Sequence, residues 1–338
     1  PSQPTEFELK LYINGKKYIY QLILSPKDIL SEKLHVYNSN QPSLLMHREL
    51  VDSNTALKFN QSLIKVSAAV KDELTAKCLK NMSLFAARKA VNCNLGEIDD
   101  VRDWMINHTL PVIDLGQKMF NYAERNMLEN PDAKKHLLDF CHNIGFNIED
   151  MAVEKDYMSL TPEMIQFIKS SGQLSDENAS KLSKDPKMPN GFKTDFIVSV
   201  INKRGKEIYT LPKASQSEGT LRAMGIETAL YVAEQNNKLL PIDEIETSMH
   251  PLLLKFMIQS FLKVQSRSQL LLTTHYDPLF TAVDDYLRKD SFWLMDKRDD
   301  GHSELYPLIS KNGVNKMRSL QRAYLNNKLG ALPQIANV

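Results

Sequence analysis

The chain has 338 residues, 42% hydrophobic and 25% charged, and its 42 Lys and Arg stand against 41 Asp and Glu for a formal charge of +1. That profile fits a soluble globular protein of about two domains and excludes wholesale disorder, a collagen repeat and a disulfide scaffold. It provides no whole-protein field for nucleic acid or anionic lipid, so a nucleic-acid partner would need a local patch that the net charge does not support.

Phe7, Leu9, Leu11 and Ile13 alternate, Asn14-Gly15 follows, and Tyr18, Tyr20, Leu22 and Leu24 alternate again, which predicts a β-hairpin with a tight turn. A further extended stretch is expected over Ile29 to Tyr37. Nothing before residue 7 supplies these strands with neighbours or with a second layer. From about Ala69 to Gly172 the pattern turns helical. Leu115, Met119, Tyr122 and Met127 fall at near-helical spacing, and Asn130 caps a following helix with Pro131 at its first position. Residues 172–191 (GQLSDENASKLSKDPKMPNG) are polar with almost no apolar payload and read as a loop or linker. Thereafter short apolar strands alternate with helices: Phe196 to Ile201, a helix from Gly219 to Gln235, Leu239 to Ile242, a helix from Pro251 to Val264, and Leu270 to Thr274. Such alternation predicts a largely parallel sheet covered by helices. The expected organisation is 1–68 as an antiparallel β part, 69–192 as helical insertion plus linker, and 193–338 as the core.

Three cysteines, Cys78, Cys93 and Cys141, lack metal-ligand spacing and suit a reducing cytosol, so the expected location is cytoplasmic. The longest apolar runs, such as Leu270 to Leu272 and Leu239 to Ile242, fall far short of the roughly 20 residues of a membrane helix. PSQPTEF is no signal peptide, and no membrane partner is expected. Glycine is scarce, 12 in the chain, where about 7% is usual.

Three segments of the last region carry chemistry. In KLLPIDEIETSMHP an apolar strand runs into Asp243-Glu244. At the carboxyl end of a parallel strand, side chains enter the crevice where α/β proteins bind ligands. Asp243 would there hold Mg2+, which prefers oxygen ligands and keeps waters while gripping substrate phosphates. Glu244 would orient or deprotonate an attacking water. An Asp-Glu pair alone is better read as a solvated loop at a strand end; the preceding apolar strand and the following Glu246, Ser248 and His250-Pro251 favour function. In KASQSEGTLRAMGIETALYVAEQ, Ser217-Glu218-Gly219-Thr220 opens a helix with Leu221, Met224, Gly225 and Val232 on one face. Free N–H groups, the Ser217 hydroxyl and the bare Gly219 can make an anion site, although taken alone an ordinary N-cap is the better reading of the same residues. In SQLLLTTHYDP another apolar strand ends in Thr273, Thr274 and His275, a histidine able to contact a γ-phosphate through a ring N–H.

Taken together in this order, the three segments resemble the signature, Walker B and switch-histidine motifs of ABC-type ATPases of the SMC-like branch. More narrowly, PTEFELKLYINGKKYIYQL, SEGT, DEIETSMHP, TTH and the tail ELYPL with RAYLNNKLGALP are similar to bacterial AAA-type abortive-infection ATPases related to the ATPase domains of the overcoming-lysogenisation nucleases. The resemblance covers both ends and about the last 150 residues; the helical middle matches only in character. It implies an α/β, P-loop NTPase-like head with a mixed or parallel sheet, N-terminal antiparallel strands and a mostly helical insertion. It implies ATP and Mg2+ as cofactors, Asp243 as metal ligand, Glu244 as catalytic base and His275 as γ-phosphate reader. Ser217, Gly219 and Thr220 match the signature that reaches nucleotide on an opposite subunit, so a homodimer is implied, with Ser248 to His250 at its seam. A nuclease or toxin effector in antiphage defence is implied with it.

No GxxxxGK[ST] occurs in these residues; INGKKY and NGFKTD each lack part of it. The resembled family carries its phosphate loop upstream of the PTEF-like strand, so a missing N-terminal portion is expected, with a degenerate homologue as the rival; the chain as it stands is expected to be inactive alone. Pro241 inside the Walker B strand predicts a bulge or a one-sided strand. Asn327, where the relatives have Gly, is expected in a left-handed backbone, and Arg322 and Lys328 read as a solvated basic face in preference to phosphate contacts. Alternative functions are an SMC-like DNA-repair or DNA-tethering head, weakened by the absence of heptad arms, and a non-catalytic scaffold. The helical insertion reads equally as a partner-sensing arm or as a lid on the core, because Met119, Phe120 and Met127 suit either.

Overall fold

In a computed structural model of the chain, Asn14 and Gly15 both take positive φ, 52° and 78°. A turn with that twist matches the twist of its flanking strands, and β1 (Thr5–Ile13) pairs with β2 (Lys16–Leu24) in unbroken register from Thr5↔Leu24 to Ile13↔Lys16. The structure describes residues 3–170, 178, 182, 186–283, 285–298 and 301–332. The chain divides into two compact units, Pro1–Thr109 and Leu110–Val338.

In the first unit, β1 and β2 continue into β3 (Ile29–Tyr37), β4 (Ser43–Val51) and β5 (Asn54–Phe59), a five-stranded antiparallel meander in sequence order. Leu11, Tyr18, Leu34, Val36, Met46 and Leu57 form a core with Leu74, Leu84, Leu95, Ile98 and Val101. The latter group comes from α1 (Ala68–Lys77), α2 (Leu84–Ala87), α3 (Glu97–Asn107) and the loops between them. The opening strands therefore find their neighbours and their second layer downstream, and their apparent isolation in the sequence disappears. Two buried charges tie the layers. Arg48 donates to the carbonyls of Ile29, Leu79 and Lys80, and Glu32 accepts from the Tyr20 hydroxyl at 2.9 Å and the Leu84 N–H at 2.7 Å. Buried charges persist only when so bonded.

The second unit holds α4 (Phe120–Glu129), α5 (Pro131–Asn143), β6 (Ile148–Ser159), α6 (Pro162–Ser170), β7 (Lys187–Asn202) and β8 (Gly205–Pro212). It continues with α7 (Glu218–Asn236), β9 (Leu239–Ile242), α8 (Pro251–Lys263) and β10 (Gln269–Leu272). β11 (Trp293–Lys297), β12 (Ser303–Pro307) and α9 (Leu320–Leu325) close it. Asn130 caps α5 as expected, accepting from the Asp132 N–H at 3.0 Å. At its centre α7 is buried on all sides from Arg222 to Leu230, the mark of a core helix. Gly225 permits this: a methyl there would lie 2.5 Å from the backbone carbon of Met119. Met119, Phe120 and Met127 are buried in this core.

Five expectations are corrected. The helical stretch from 69 to 172 is not one insertion: α1 to α3 belong to the first unit and α4 to α6 to the second. Compactness divides the chain at 109/110 rather than 68/69, because α1 to α3 bury their apolar faces on the meander. Within that stretch β6 is a strand. A register irregularity between Ile148 and Asp150 separates the buried Ile148 and Met151 by three positions, a spacing that imitates a helix face. The boundary at 192/193 falls inside β7, whose residues Lys187 to Gly191 pair with β6 through backbone groups that need no apolar side chains. Residues 172–177, 179–181 and 183–185 of the expected linker lie outside the described residues. Finally, the sheet is not largely parallel. Phe196 to Ile201 lies in the antiparallel sheet β6-β7-β8, since the short turn between β7 and β8 permits only a hairpin. Among the described strands only β9 and β10 pair in parallel, with a parallel bridge from Ile113 to Ile242 on the other side.

A pH dependence is built into the α5–α7 contact. His136 pairs with Glu227 at 2.8 Å and stacks on Tyr231, with ring centroids 4.5 Å apart. Burial, then the charge of Glu227, push the nearby Glu234 carboxyl up to about 7, against the opposing pull of His136. The folded state thus holds a proton that the unfolded chain releases near its ordinary value of 4.5, and stability falls as pH rises from about 4.5 to about 7. After allowance for solvent, the loss is about 1 kcal/mol. Urea midpoints measured across this range should fall in the parent and stay flatter in Glu234→Gln.

Candidate functional site

Two parallel strands of four residues end level with each other, Leu272 opposite Ile242, so Asp243 and Thr273 leave the sheet side by side. The Thr273 hydroxyl donates to Asp243 Oδ1 and accepts the Glu244 N–H at 2.9 Å. Glu244 and Ser248 adopt positive φ, 45° and 61°, which costs a non-glycine residue roughly 1–3 kcal/mol and requires surrounding support. That support includes the Thr273 bond and a turn in which Thr247 N–H donates to the Glu244 carbonyl at 3.1 Å and Met249 N–H to the Glu246 carbonyl at 3.1 Å. His250 then caps α8, its Nδ1 accepting the Leu252 N–H at 3.2 Å, with Pro251 at the first helical position.

Of the bulge or one-sided strand expected at Pro241, the bulge does not form. Register between β9 and β10 is continuous. The Pro241 carbonyl accepts from the Ile113 N–H at 3.0 Å; a residue's N–H and C=O point to the same side of a strand, so the missing donor faces residues 110–113 and leaves the β9–β10 ladder intact.

His275 follows β10 with its side chain 86% exposed and Nε2 3.9 Å from Glu244 Oε1; Glu244 is 36% exposed. Its backbone N–H is held by Glu246 Oε1 at 2.7 Å. Glu244 and His275 thus approach each other across the loops that follow β9 and β10, and Asp243, next in sequence to Glu244, is tied to the β10 side through Thr273.

Ser217 caps α7: its hydroxyl accepts the Thr220 N–H at 3.0 Å and shares a hydrogen bond with Thr220 Oγ1 at 2.8 Å. The capping explanation and the anion-site explanation thus use the same atoms, and an arriving anion would compete with a closed local cap. Gly219 joins this helix start to the loop after β9. A methyl on Gly219 would overlap the Ser248 carbonyl oxygen, so the missing side chain lets the two segments touch within one chain. Gly219→Ala should lower the unfolding free energy by about 1–3 kcal/mol, read from urea denaturation, and Gly219→Ser should cost no less because its side chain begins with a carbon in the same place.

Arg222, one turn into α7, had no place in the motif reading. It is 7% exposed; Nη1 donates to the Asp114 carbonyl at 3.4 Å, while Nε and Nη2 have no partner among the described residues. Burial pulls its guanidinium below its ordinary value, and the charges of Asp114, Glu218 and Glu244 pull the other way. A charge set among Leu221, Ala223 and Met224 is the signal the sequence offers. Thr273 could have been read from the level strand ends, which place it beside Asp243 once the strands are parallel.

Asp243 carries a carboxylate, an oxygen donor of the kind that Mg2+ takes; among the described residues no group of three or more His, Cys, Asp or Glu is placed to hold a metal ion. Among the described residues, no helix is long and apolar enough to cross a membrane. In the tail, Asn327 takes φ 56°, the left-handed backbone expected for it. A family model described as "AAA domain, putative AbiEii toxin, Type IV TA system" matches residues 1–281. The comparison with curated proteins finds no match.

Proposed function

The chain belongs to this family of AAA domains, nucleotide-binding ATPases, and on that premise we propose that it is an ABC-type, SMC-like head that hydrolyses ATP as a dimer to control a toxin or nuclease effector in antiphage defence. The single observation that carries the reading is the convergence of Asp243, Glu244 and His275 at the level ends of β9 and β10, with Gly219 of the helix start seated on Ser248 of the same loop.

In this reading Asp243 would hold Mg2+, which when bound would neutralise charge on the phosphates. Glu244 takes the proton from a water whose oxygen attacks the γ-phosphorus as the bond to the β–γ bridging oxygen breaks and ADP departs. The exposed His275 ring, 3.9 Å from Glu244, donates to a γ-phosphate oxygen. Ser217, Thr220 and the α7 start supply N–H and O–H donors to the nucleotide of the opposing subunit. The assay uses the full-length protein.

Asp243→Asn in that chain should remove Mg2+-dependent phosphate release from ATP by at least about 10²-fold, measured by a coupled assay over a Mg2+ series. Hydrolysis equal to the parent at every Mg2+ concentration would reject the reading.

A further inference from the structure

Two side chains cross between the loops that follow β9 and β10, in opposite directions. From the β10 side, the Thr273 hydroxyl bonds both the Asp243 carboxylate and the Glu244 N–H. From the β9 side, the Glu246 carboxylate bonds the His275 N–H at 2.7 Å. Backbone bonds run alongside, from Thr273 N–H to the Ile242 carbonyl at 3.0 Å and from Ile245 N–H to the Thr273 carbonyl at 3.3 Å. The side-chain bonds differ from these in what they hold: one ends on the residue assigned to the metal and on the backbone of the strained Glu244, the other on the backbone of His275.

We propose that Thr273 and Glu246 are positioning residues that lock the two loops into one unit, Thr273 presetting Asp243 and Glu244, and Glu246 keeping His275 opposite Glu244. The proposal rests on the ATPase reading above. A single threonine hydroxyl does two jobs: as donor it fixes one oxygen of Asp243 and leaves the other for the cation, and as acceptor it satisfies the N–H of Glu244 at φ 45°. Without it, Glu244 loses a restraint on its left-handed backbone and swings relative to His275. Glu246 Oε2 is buried without a partner among the described residues, so its carboxylate is held by Oε1 alone and the His275 tie is the main return for burying it. Groups that orient a ligand or base through one hydrogen bond change affinity or rate by about 10–100-fold when removed.

The test uses the full-length chain and two pairs of variants. Thr273→Val keeps the shape and removes both bonds; kcat for ATP should fall about 10–100-fold with KM changed far less, and Thr273→Ser should restore most of it. Mn2+ binding without nucleotide, followed by the paramagnetic signal of free Mn2+, should weaken several-fold in Thr273→Val and stay at the parent value in Glu246→Leu. Glu246→Leu should lower kcat similarly, Glu246→Gln should recover most of it through its carbonyl oxygen, and Glu246→Leu combined with His275→Ala should be no worse than His275→Ala alone. If Thr273→Val fails to fold, the Glu246 pair and its double variant decide. Parental kcat in Thr273→Val and Glu246→Leu, while Asp243→Asn and Glu244→Gln are inactive, would overturn the proposal and leave the ATPase reading standing. Parental activity in Asp243→Asn and Glu244→Gln as well would remove the ATPase reading itself.

Discussion

Glu244→Gln should lower ATP turnover of the full-length chain by about 10²–10⁴-fold, the range that a positioned general base contributes, while the protein stays folded and ATP-bound dimers accumulate. The variant is nearly isosteric and the side chain is more than a third exposed, so packing does not change. The Glu244 N–H keeps its bond to Thr273 Oγ1, because the substitution alters only the far end of the side chain. Lost by contrast is the basic oxygen that accepts the water proton. Single-turnover hydrolysis separates this from weakened binding, and light scattering with and without ATP reads the dimer. Unchanged single-turnover rates would reject Glu244 as base, and slow turnover without dimer accumulation would reject the two-headed site.

Lys213→Met should cost about 3 kcal/mol or more of unfolding free energy. Glu124 on α4 is a fully buried carboxylate, at 0% exposure. It is held by Lys213 Nζ at 2.7 and 2.9 Å and by the Thr194 hydroxyl of β7 at 2.6 Å. Removing one partner of a buried pair strands the other charge, a loss of about 3–5 kcal/mol, and the 30% exposure of Lys213 places this pair toward the lower end. Pairing Lys213→Met with Glu124→Gln should recover part of the loss by removing the stranded charge. Urea denaturation of the two single variants and the double variant measures it, and a Lys213→Met midpoint within error of the parent would refute the anchor. Lys213 sits four residues before the Ser217 cap, so the same variant should also loosen the start of α7. ATP hydrolysis should then fall more than the altered folded fraction explains.

Local signals carried the elements whose causes are local. Asn14-Gly15 sets the first hairpin because only a few residue types tolerate two successive positive φ values. Asn130-Pro131 starts α5 for an equally short-range reason. The four-residue strand Leu239–Ile242 is read correctly because a short apolar run bounded by polar residues marks a strand; Leu240 and Ile242 are buried, Leu239 and Pro241 only partly. Where side-chain spacing and backbone pairing disagreed, spacing misled. The irregularity in β6 gave two buried residues a helical separation, and the polar Lys187 to Gly191 became strand through backbone bonds that composition does not register. Of the candidate site, Asp243, Glu244 and His275 were legible because strand ends are marked by an abrupt change from apolar to acidic or hydroxyl residues. Arg222, and the roles of Thr273 and Glu246, were not.

The amino-acid order alone determined which chemical groups stand at the ends of β9 and β10 and at the start of α7, since each is specified by neighbours a few residues away. Only tertiary structure decided that the meander takes its second layer from residues beyond 68, and that Gly219 meets Ser248. It also decided that Thr273 reaches Asp243 across 30 positions of sequence. Such contacts depend on which strands pair and in which direction. Pairing is set by the free energy of burying whole faces and satisfying every backbone group at once, a condition no short window of sequence contains.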